Sequence, residues 1–297
     1  MRLFAIDLDG TLLHSTHIIS ERNVTAIKRC QKNGDIVVIA TGRAAFDAAH
    51  LLRLHQLDCP IISSNGAEIR AEREGTTIRN NTYVSSDESE AILNCLLKQD
   101  VYLQIYLEDE ILMTFDATDQ LMKQIKEEQR THPSFQADEF LKSVQPQLTQ
   151  YGVREVTDFS DVDLAKVMKF MIVSPKAVVL KRIENDLSSR NCTVTSSGLF
   201  NLEVTASGSD KGMALQQFAE RLGIPLTATV AIGDHHNDLP MFRVAGTSIA
   251  MENAEDAVKR QATEETGHHD DDGVAMALET FCSIQVGQKG VQDGKYY

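Results

Sequence analysis

Residues 3–11, LFAIDLDGT, constrain the fold more than any other stretch of the chain. Four apolar residues, Leu3 to Ile6, run directly into two acids separated by one leucine and followed by Gly10. A short apolar run ended by glycine reads as a strand covered on both faces, because a strand with one wet face alternates polar and apolar side chains. The acids then stand at the strand's carboxyl end. In an open α/β sheet this is the rim where ligands bind, since loops and helix N-termini converge there. Asp7 can point into that crevice, and Asp9, beside the permissive Gly10, can turn back toward the same point. Alone, Asp-Leu-Asp-Gly is only a turn with two solvated acids. Its meaning comes from what the rest of the chain brings to the same rim.

Ser20 caps a helix expected over 21–33, with Val24, Ile27 and Cys30 on one face and Gly34 as its stop. Ile36–Ala40 is a second buried strand, ending in Thr41-Gly42-Arg43. Strand, helix, strand is a βαβ unit with parallel strands and a right-handed crossover, so Thr41 arrives at the edge that carries Asp7. A helix over 44–54 and a strand over 60–63 then bring Ser64-Asn65-Gly66-Ala67 to the rim as well.

From about Thr82 the pattern changes. Ser85 and Glu88 open a helix, and strands over 101–106 and 111–114 alternate as if half exposed. Polar helical stretches follow over 119–130 and 138–143, then a strand over 167–173. A helix over 177–187 is expected to turn Val178, Val179, Ile183 and Leu187 inward, and 192–196 with 199–204 reads as a hairpin.

The doubly wound pattern resumes near Ser209. Lys211 opens a helix that stops at Gly223, and a buried strand over 228–232 runs into Gly233-Asp234-His235-His236-Asn237-Asp238. One more strand over 247–251 and helices over 254–262 and 273–282 close the core, with 287–297 as a loose polar tail. The expected fold is α/β: a doubly wound parallel-sheet core from residues 1–81 and 206–297, with an inserted α/β cap over 82–205.

A chain of 297 residues has room for two domains. Asp and Glu, 43 in all, outnumber Lys and Arg at 29, and no basic patch offsets the net charge of −14. Nucleic acid and anionic membranes are therefore disfavoured as partners. The five cysteines are scattered and form no CxxC pair, which argues for reduced core residues in a cytoplasmic protein and against a disulfide framework or zinc site. No signal-peptide pattern opens the chain, and no apolar run nears the roughly 18 residues of a membrane helix.

Asp7, Asp9, Thr41, Asp234 and Asp238 thus share one rim. Carboxylates crowded into a partly dry crevice repel one another unless a cation neutralises them. An all-oxygen ligand set suits Mg²⁺, which bridges to a substrate phosphate. Lys211 adds a second positive charge, and Thr41 with nearby backbone amides adds neutral donors. The implied reaction is phosphoryl transfer. Asp7 attacks in line, and Asp9 protonates the leaving oxygen and then deprotonates water.

LFAIDLDGTLL, IATGR, a lysine opening a helix after a long gap, and AIGDHHNDLPMF resemble the four signature motifs of the haloacid dehalogenase superfamily. SSNGAEI and SIAMENA resemble its Cof-like hydrolase branch, and the likeness spans residues 1–81 and 206–281. The resemblance implies Asp7 as nucleophile and Asp9 as acid/base. It implies Mg²⁺ held by Asp7, the Asp9 backbone carbonyl and Asp234, with Asp238 supporting from behind, and phosphate held by Thr41, Gly42 and Lys211, with Asn237 in the same pocket. Only 29 residues separate Thr11 from Thr41, whereas about 170 separate Thr41 from Lys211, so the cap lies in the second gap, as in that branch. The expected function is a Mg²⁺-dependent phosphomonoester hydrolase for a small phosphorylated metabolite, first a sugar phosphate. A phosphomutase or a catalytically weak phosphate-metabolite sensor are the alternatives, and the oligomeric state is open.

Other residues carry plainer expectations. His235 stands where relatives of the motif usually have a small Ser, with His236 beside it, and the pair is read as outward loop residues ahead of extra metal ligands or acid/base. Asp210 either caps its helix or bonds Lys211. Residues 263–272, including His268-His269-Asp270-Asp271-Asp272, read as a solvated acidic loop ahead of a second metal site. Asn65 and Glu68 steady the rim or touch substrate, Arg43 reaches phosphate or pairs with a surface acid, and Met168, Phe170 and Met171 belong to the cap core.

Overall fold

The computed structural model describes residues 1–73 and 76–288. Its first strands are β1 (Leu3–Ile6), β2 (Ile36–Ala40), β3 (Ile61–Ser63), β4 (Glu68–Arg73) and β5 (Thr76–Asn81). Then come β6 (Tyr102–Tyr106), β7 (Ile111–Thr114), β8 (Val153–Val156), β9 (Lys169–Val173), β10 (Cys192–Thr195) and β11 (Asn201–Ala206). The last are β12 (Thr229–Gly233), β13 (Thr247–Ala250) and β14 (Glu264–Glu265). The helices are α1 (Glu21–Lys32), α2 (Ala45–Leu54), α3 (Ser86–Leu96), α4 (Ala117–Thr131), α5 (Ala137–Leu148), α6 (Ala177–Leu187), α7 (Lys211–Leu222), α8 (Leu239–Val244), α9 (Asp256–Lys259) and α10 (Gly273–Gln288).

Two sheets result. One has the order β14-β13-β12-β1-β2-β3-β4-β5, and the other β10-β11-β9-β6-β7-β8. From β14 to β3 every pairing in the first sheet is parallel, and β4 and β5 add an antiparallel hairpin that the sequence did not announce. β1 explains why its apolar run is continuous. Phe4 and Ile6 pack with Ile27, Ala48 and Leu278 of α1, α2 and α10, whereas Leu3 and Ala5 pack with Leu215, Phe218 and Phe242 of α7 and α8. Each fully buried Leu, Ile or Phe of the strand contributes about 1.5–3 kcal/mol, so both covering layers are driven by the same strand. The Ser20 hydroxyl caps α1 by accepting from Asn23 N, and Gly223 ends α7 in the left-handed conformation. None of the described helices is long and apolar enough to cross a membrane.

The second sheet corrects two expectations. Its strands β6 and β7 are not half exposed: residues 102–106 and 111–113 are all buried. Leu103, Ile105 and Leu112 face α3 and α6, and Tyr102, Tyr106, Ile111 and Met113 face Leu121, Ile125, Phe140 and Val144 of α4 and α5. The two helices read as polar supply the second cover. In α6, Val178 is 66% exposed and Leu180 is buried, since the inward stripe is Leu180, Ile183 and Leu187. Three further boundaries differ. Residues 264–265 form an edge strand on β13, held by backbone bonds while their side chains stay in water. Only Asp256–Lys259 of the helix expected over 254–262 is helical. The last helix continues to Gln288, past the expected end at 282, and the rest of the proposed tail, 289–297, lies outside the described residues.

Candidate active site

Four parallel strand ends meet where the sequence placed its acids. β1 lies between β12 and β2, so the residues that follow each strand share one edge, and the Asp7 amide donates to Ile232 O at 2.9 Å. Lys211 is the first residue of α7, which Asp210 caps by accepting from Met213 N at 2.8 Å. The lysine is fully buried, and its Nζ stands 2.5 Å from Asp7 Oδ1 and 2.6 Å from Asp238 Oδ1. Asp210 is therefore a helix cap.

Asp238 spends its other oxygen, Oδ2, on the backbone amides of Asp234 and His235, both at 2.9 Å. That fixes the turn after β12 and with it the Asp234 carboxylate, whose Oδ1 accepts from Thr11 Oγ1 at 2.7 Å. Gly10 has φ +78°, and a Cβ there would lie 2.5 Å from Asp234 Oδ2. The glycine is required twice, by its backbone conformation and by the carboxylate beside it.

Carboxylate oxygens of Asp7, Asp234 and Asp238 all lie within 4.8 Å of one another. Lys211 gives these three acids one positive charge, which leaves two negative charges to offset. The imbalance is visible in the proton affinities. Burial, together with Asp238 and Asp234, pushes the Asp7 carboxyl well above its ordinary range despite Lys211. Burial and then Asp238 push Asp234 up to about 7. Burial alone would lower Lys211, but Asp238 and Asp7 outweigh it and hold the ammonium firmly protonated. A compact, all-oxygen, doubly negative pocket has the charge and donor type of a Mg²⁺ site.

Asp9 is held differently. Arg43 grips its carboxylate with two bonds, Nε to Oδ2 at 2.7 Å and Nη2 to Oδ1 at 2.8 Å, and sends Nη1 to Asp47 Oδ2 at 2.8 Å. Neither acid is the surface partner expected for Arg43, whose side chain is 7% exposed, and Asp47 is buried too. The other Asp47 oxygen, Oδ1, accepts from the amide of Tyr151 in the inserted segment at 2.8 Å. Thr41 Oγ1 accepts from the Arg43 amide at 3.1 Å. Asn237 Nδ2 donates to Asn65 Oδ1 at 3.2 Å, and Asn65 sits in the left-handed region with φ 55°.

A cavity of about 80 Å³ joins these groups: Asp7, Asp9, Thr41, Gly42 and Asn237 line it from the first sheet, Lys169, Met171 and Glu203 from the second. Lys169 and Glu203 escaped the sequence reading. A lysine opening an apolar strand and a glutamate in an alternating one signal only solvent, yet both are buried. His235 also lines the cavity and is half buried, its Nδ1 accepting from His236 N at 3.0 Å, while His236 lies outside beside Glu255 at 3.1 Å. Among the described residues His268, His269 and Asp270 also cluster, but His268 Nδ1 accepts from Asp270 N at 3.1 Å and His269 Nδ1 lies 2.8 Å from Leu13 O, which spends those nitrogens on the loop. Glu68 accepts from Ser63 at 3.1 Å and so steadies the rim. Phe170 belongs to the core on the far face of the second sheet.

Known proteins match this arrangement along nearly its whole length. A profile of haloacid dehalogenase-like hydrolases matches residues 4–278. The chain is 35% identical over 291 residues to the 5-amino-6-(5-phospho-D-ribitylamino)uracil phosphatase YwtE of Bacillus subtilis, covering 96% of this chain and 99% of that protein. It is 30% identical over 286 residues to phosphatase YwpJ of the same species, covering 94% and 99%. A solved haloacid dehalogenase-like hydrolase from B. subtilis superposes with a TM-score of 0.81 at 29% identity, covering 94% of this chain and 99% of that one. The chain belongs to the haloacid dehalogenase-like hydrolase family, the family its four motifs resemble, and is an enzyme of that family.

Proposed function

We propose that this chain is a Mg²⁺-dependent phosphomonoester hydrolase acting on a small phosphorylated metabolite, a sugar phosphate first, through a phosphoryl group carried on Asp7. The observation that carries the reading is the convergence of Asp7, Asp234, Asp238 and Lys211, with Lys211 Nζ 2.5 Å from the Asp7 carboxylate. Relatives named as phosphatases support it.

In this reading Lys211 holds Asp7 Oδ1, and the other oxygen attacks phosphorus in line with the ester oxygen. The P–O bond to the leaving group breaks as Asp9 gives that oxygen its proton. Water then attacks the phosphoryl-aspartate, Asp9 takes back the proton, and phosphate leaves with Asp7 restored. Thr41, Gly42, Lys211 and Asn237 hold the phosphoryl oxygens throughout. Asp7, Asp234 and the Asp9 carbonyl would hold Mg²⁺, with Asp238 fixing the Asp234 turn. The ion's contribution is to offset charge on the phosphoryl oxygens and on the crowded carboxylates.

The test is Asp7→Asn with an aryl phosphate and Mg²⁺. The variant should fold and show no turnover, and a fully active variant refutes the mechanism. Chelator should silence the wild type, and Mg²⁺ should restore it. A panel of phosphorylated sugars, nucleotides and pyridoxal phosphate then ranks leaving groups.

A further inference from the structure

Among the buried charges that the reaction scheme leaves unused are two that line the cavity from the second sheet. Lys169 of β9 and Glu203 of β11 are 0% and 1% exposed, on strands that pair antiparallel with Lys169 opposite Thr205 and Met171 opposite Glu203. The two side chains thus sit diagonally on one face of the second sheet, with Nζ 3.1 Å from Oε2. Both reach across to the first sheet. Lys169 Nζ donates to Gly42 O at 2.5 Å and lies 4.0 Å over the Tyr106 ring, while Glu203 Oε2 accepts from Asn65 Nδ2. Its remaining oxygen accepts from Ser197 Oγ at 2.5 Å.

The two bonds to the first sheet each have a second end in the phosphate cradle. The Gly42 carbonyl belongs to the same rigid peptide as the Arg43 amide, which donates to Thr41 Oγ1, so Lys169 sets that peptide plane and with it the threonine hydroxyl. Glu203 holds Asn65, whose Oδ1 holds Asn237 Nδ2. A Cβ on Gly42 would lie 3.1 Å from both Asn65 Oδ1 and Glu203 Oε2, which makes the joint a close fit. Buried ion pairs add little net stability, because desolvation offsets the attraction. This one is spent on geometry.

We propose that Lys169 and Glu203 are positioning residues for phosphate: docked on the first sheet, the pair aligns Thr41, Gly42 and Asn237 around the phosphoryl group without reading the leaving group. The proposal rests on the phosphatase reading and deepens it. Glu203 already accepts from Lys169, Asn65 and Ser197, so its oxygens are engaged inside the wall.

The experiment compares wild type, Lys169→Met, Glu203→Gln and Asn65→Ala. It measures hydrolysis of aryl, sugar and alditol phosphates, inhibition by inorganic phosphate, and thermal unfolding. We expect kcat/KM to fall roughly 10- to 100-fold, by a common factor on every ester, and phosphate inhibition to weaken in parallel. Unchanged phosphate inhibition with an altered ranking of esters overturns the proposal, and so do variants that match the wild type. If the two substitutions at the ion pair prevent folding, Asn65→Ala cuts the same chain of bonds from the first sheet, and unchanged phosphate inhibition there overturns it equally. A wild type that neither hydrolyses esters nor binds phosphate removes the phosphatase reading itself, whereas a working wild type with indifferent variants removes only the positioning role.

Discussion

Without metal, the protein should lose stability as pH rises from about 4 to about 7, and Mg²⁺ should return more of it the higher the pH. The driver is Asp234, held at about 7 in the folded chain against an ordinary 3.8. Below 3.8 both states keep the proton, so the group contributes nothing to the difference. Between those values the unfolded chain releases it and the folded chain does not. Above about 7 the folded chain carries the full cost of a crowded, buried carboxylate. Three pH units at roughly 1.4 kcal/mol each come to on the order of 4 kcal/mol, and Asp7 acts in the same direction. For a chain of this size about 2 °C of melting temperature accompanies each kcal/mol, so the span is roughly 8 °C. Surface acids such as the partly buried Glu110 and Glu279 and the exposed Glu127 are shifted downward by their partners and pull weakly the other way. The assay is therefore thermal unfolding of wild type and Asp234→Asn, each with chelator and with Mg²⁺, near pH 5 and near pH 8. The wild type should fall relative to the variant as pH rises, and Mg²⁺ should raise it far more at the alkaline end. A wild-type minus variant difference that is flat with pH, or a Mg²⁺ shift equal at both ends, refutes the charge argument.

Three further outcomes follow from named contacts. Arg43→Gln frees the Asp9 carboxylate and strands the buried Asp47, so kcat should drop about 10²-fold or more and stability by roughly 3 kcal/mol, read by turnover and urea melts. Gly10→Ala forces a Cβ into a left-handed backbone 2.5 Å from Asp234 Oδ2, so the Mg²⁺ concentration for half activity should rise about tenfold, and an unchanged Mg²⁺ titration would contradict the packing argument. Asp210→Ala removes a helix cap and should cost about 1 kcal/mol while kcat stays within about threefold; a collapse of kcat would mean that the residue acts on Lys211.

The parallel centre of the first sheet was legible because a strand buried on both faces writes itself as an unbroken apolar run, and LFAI, IVVIA and TVAIG each end at a rim motif. Topology then does the rest, since parallel neighbours put all three ends on one edge. The second sheet misled for a physical reason. Its rear cover comes from α4 and α5, where Leu121, Ile125, Phe140 and Val144 are interspersed with many polar residues, so β6 and β7 looked wet on one side. Val178 misled because an Ala-Val-Val-Leu start is apolar at every phase, and only the downstream Ile183 and Leu187 fix which way the helix faces. For β14 there was no signal to read, because two exposed glutamates join the sheet through the backbone alone.

The same contrast separates the site residues that sequence could find from those it could not. Asp7, Thr41 and Asp234 follow strand ends, and a strand end in such a sheet has one destination whatever else the chain does. Lys169 and Glu203 lie within strands, where period-2 alternation says only which face a side chain takes. Phe170 and Ile172 claim one face of β9 and Leu202 and Val204 one face of β11, so the lysine and the glutamate fall on the other, a position that ordinarily means water. α4 and α5 cover most of that face, and at Lys169 and Glu203 the first sheet completes the cover, through Gly42 and Asn65, well over one hundred positions away in the chain. A charged residue at the edge of such a face is therefore ambiguous until the partner surface is known. The deciding sign is a second charge of opposite sign placed diagonally on the neighbouring strand, because two such groups can enter a dry interface together where neither could alone.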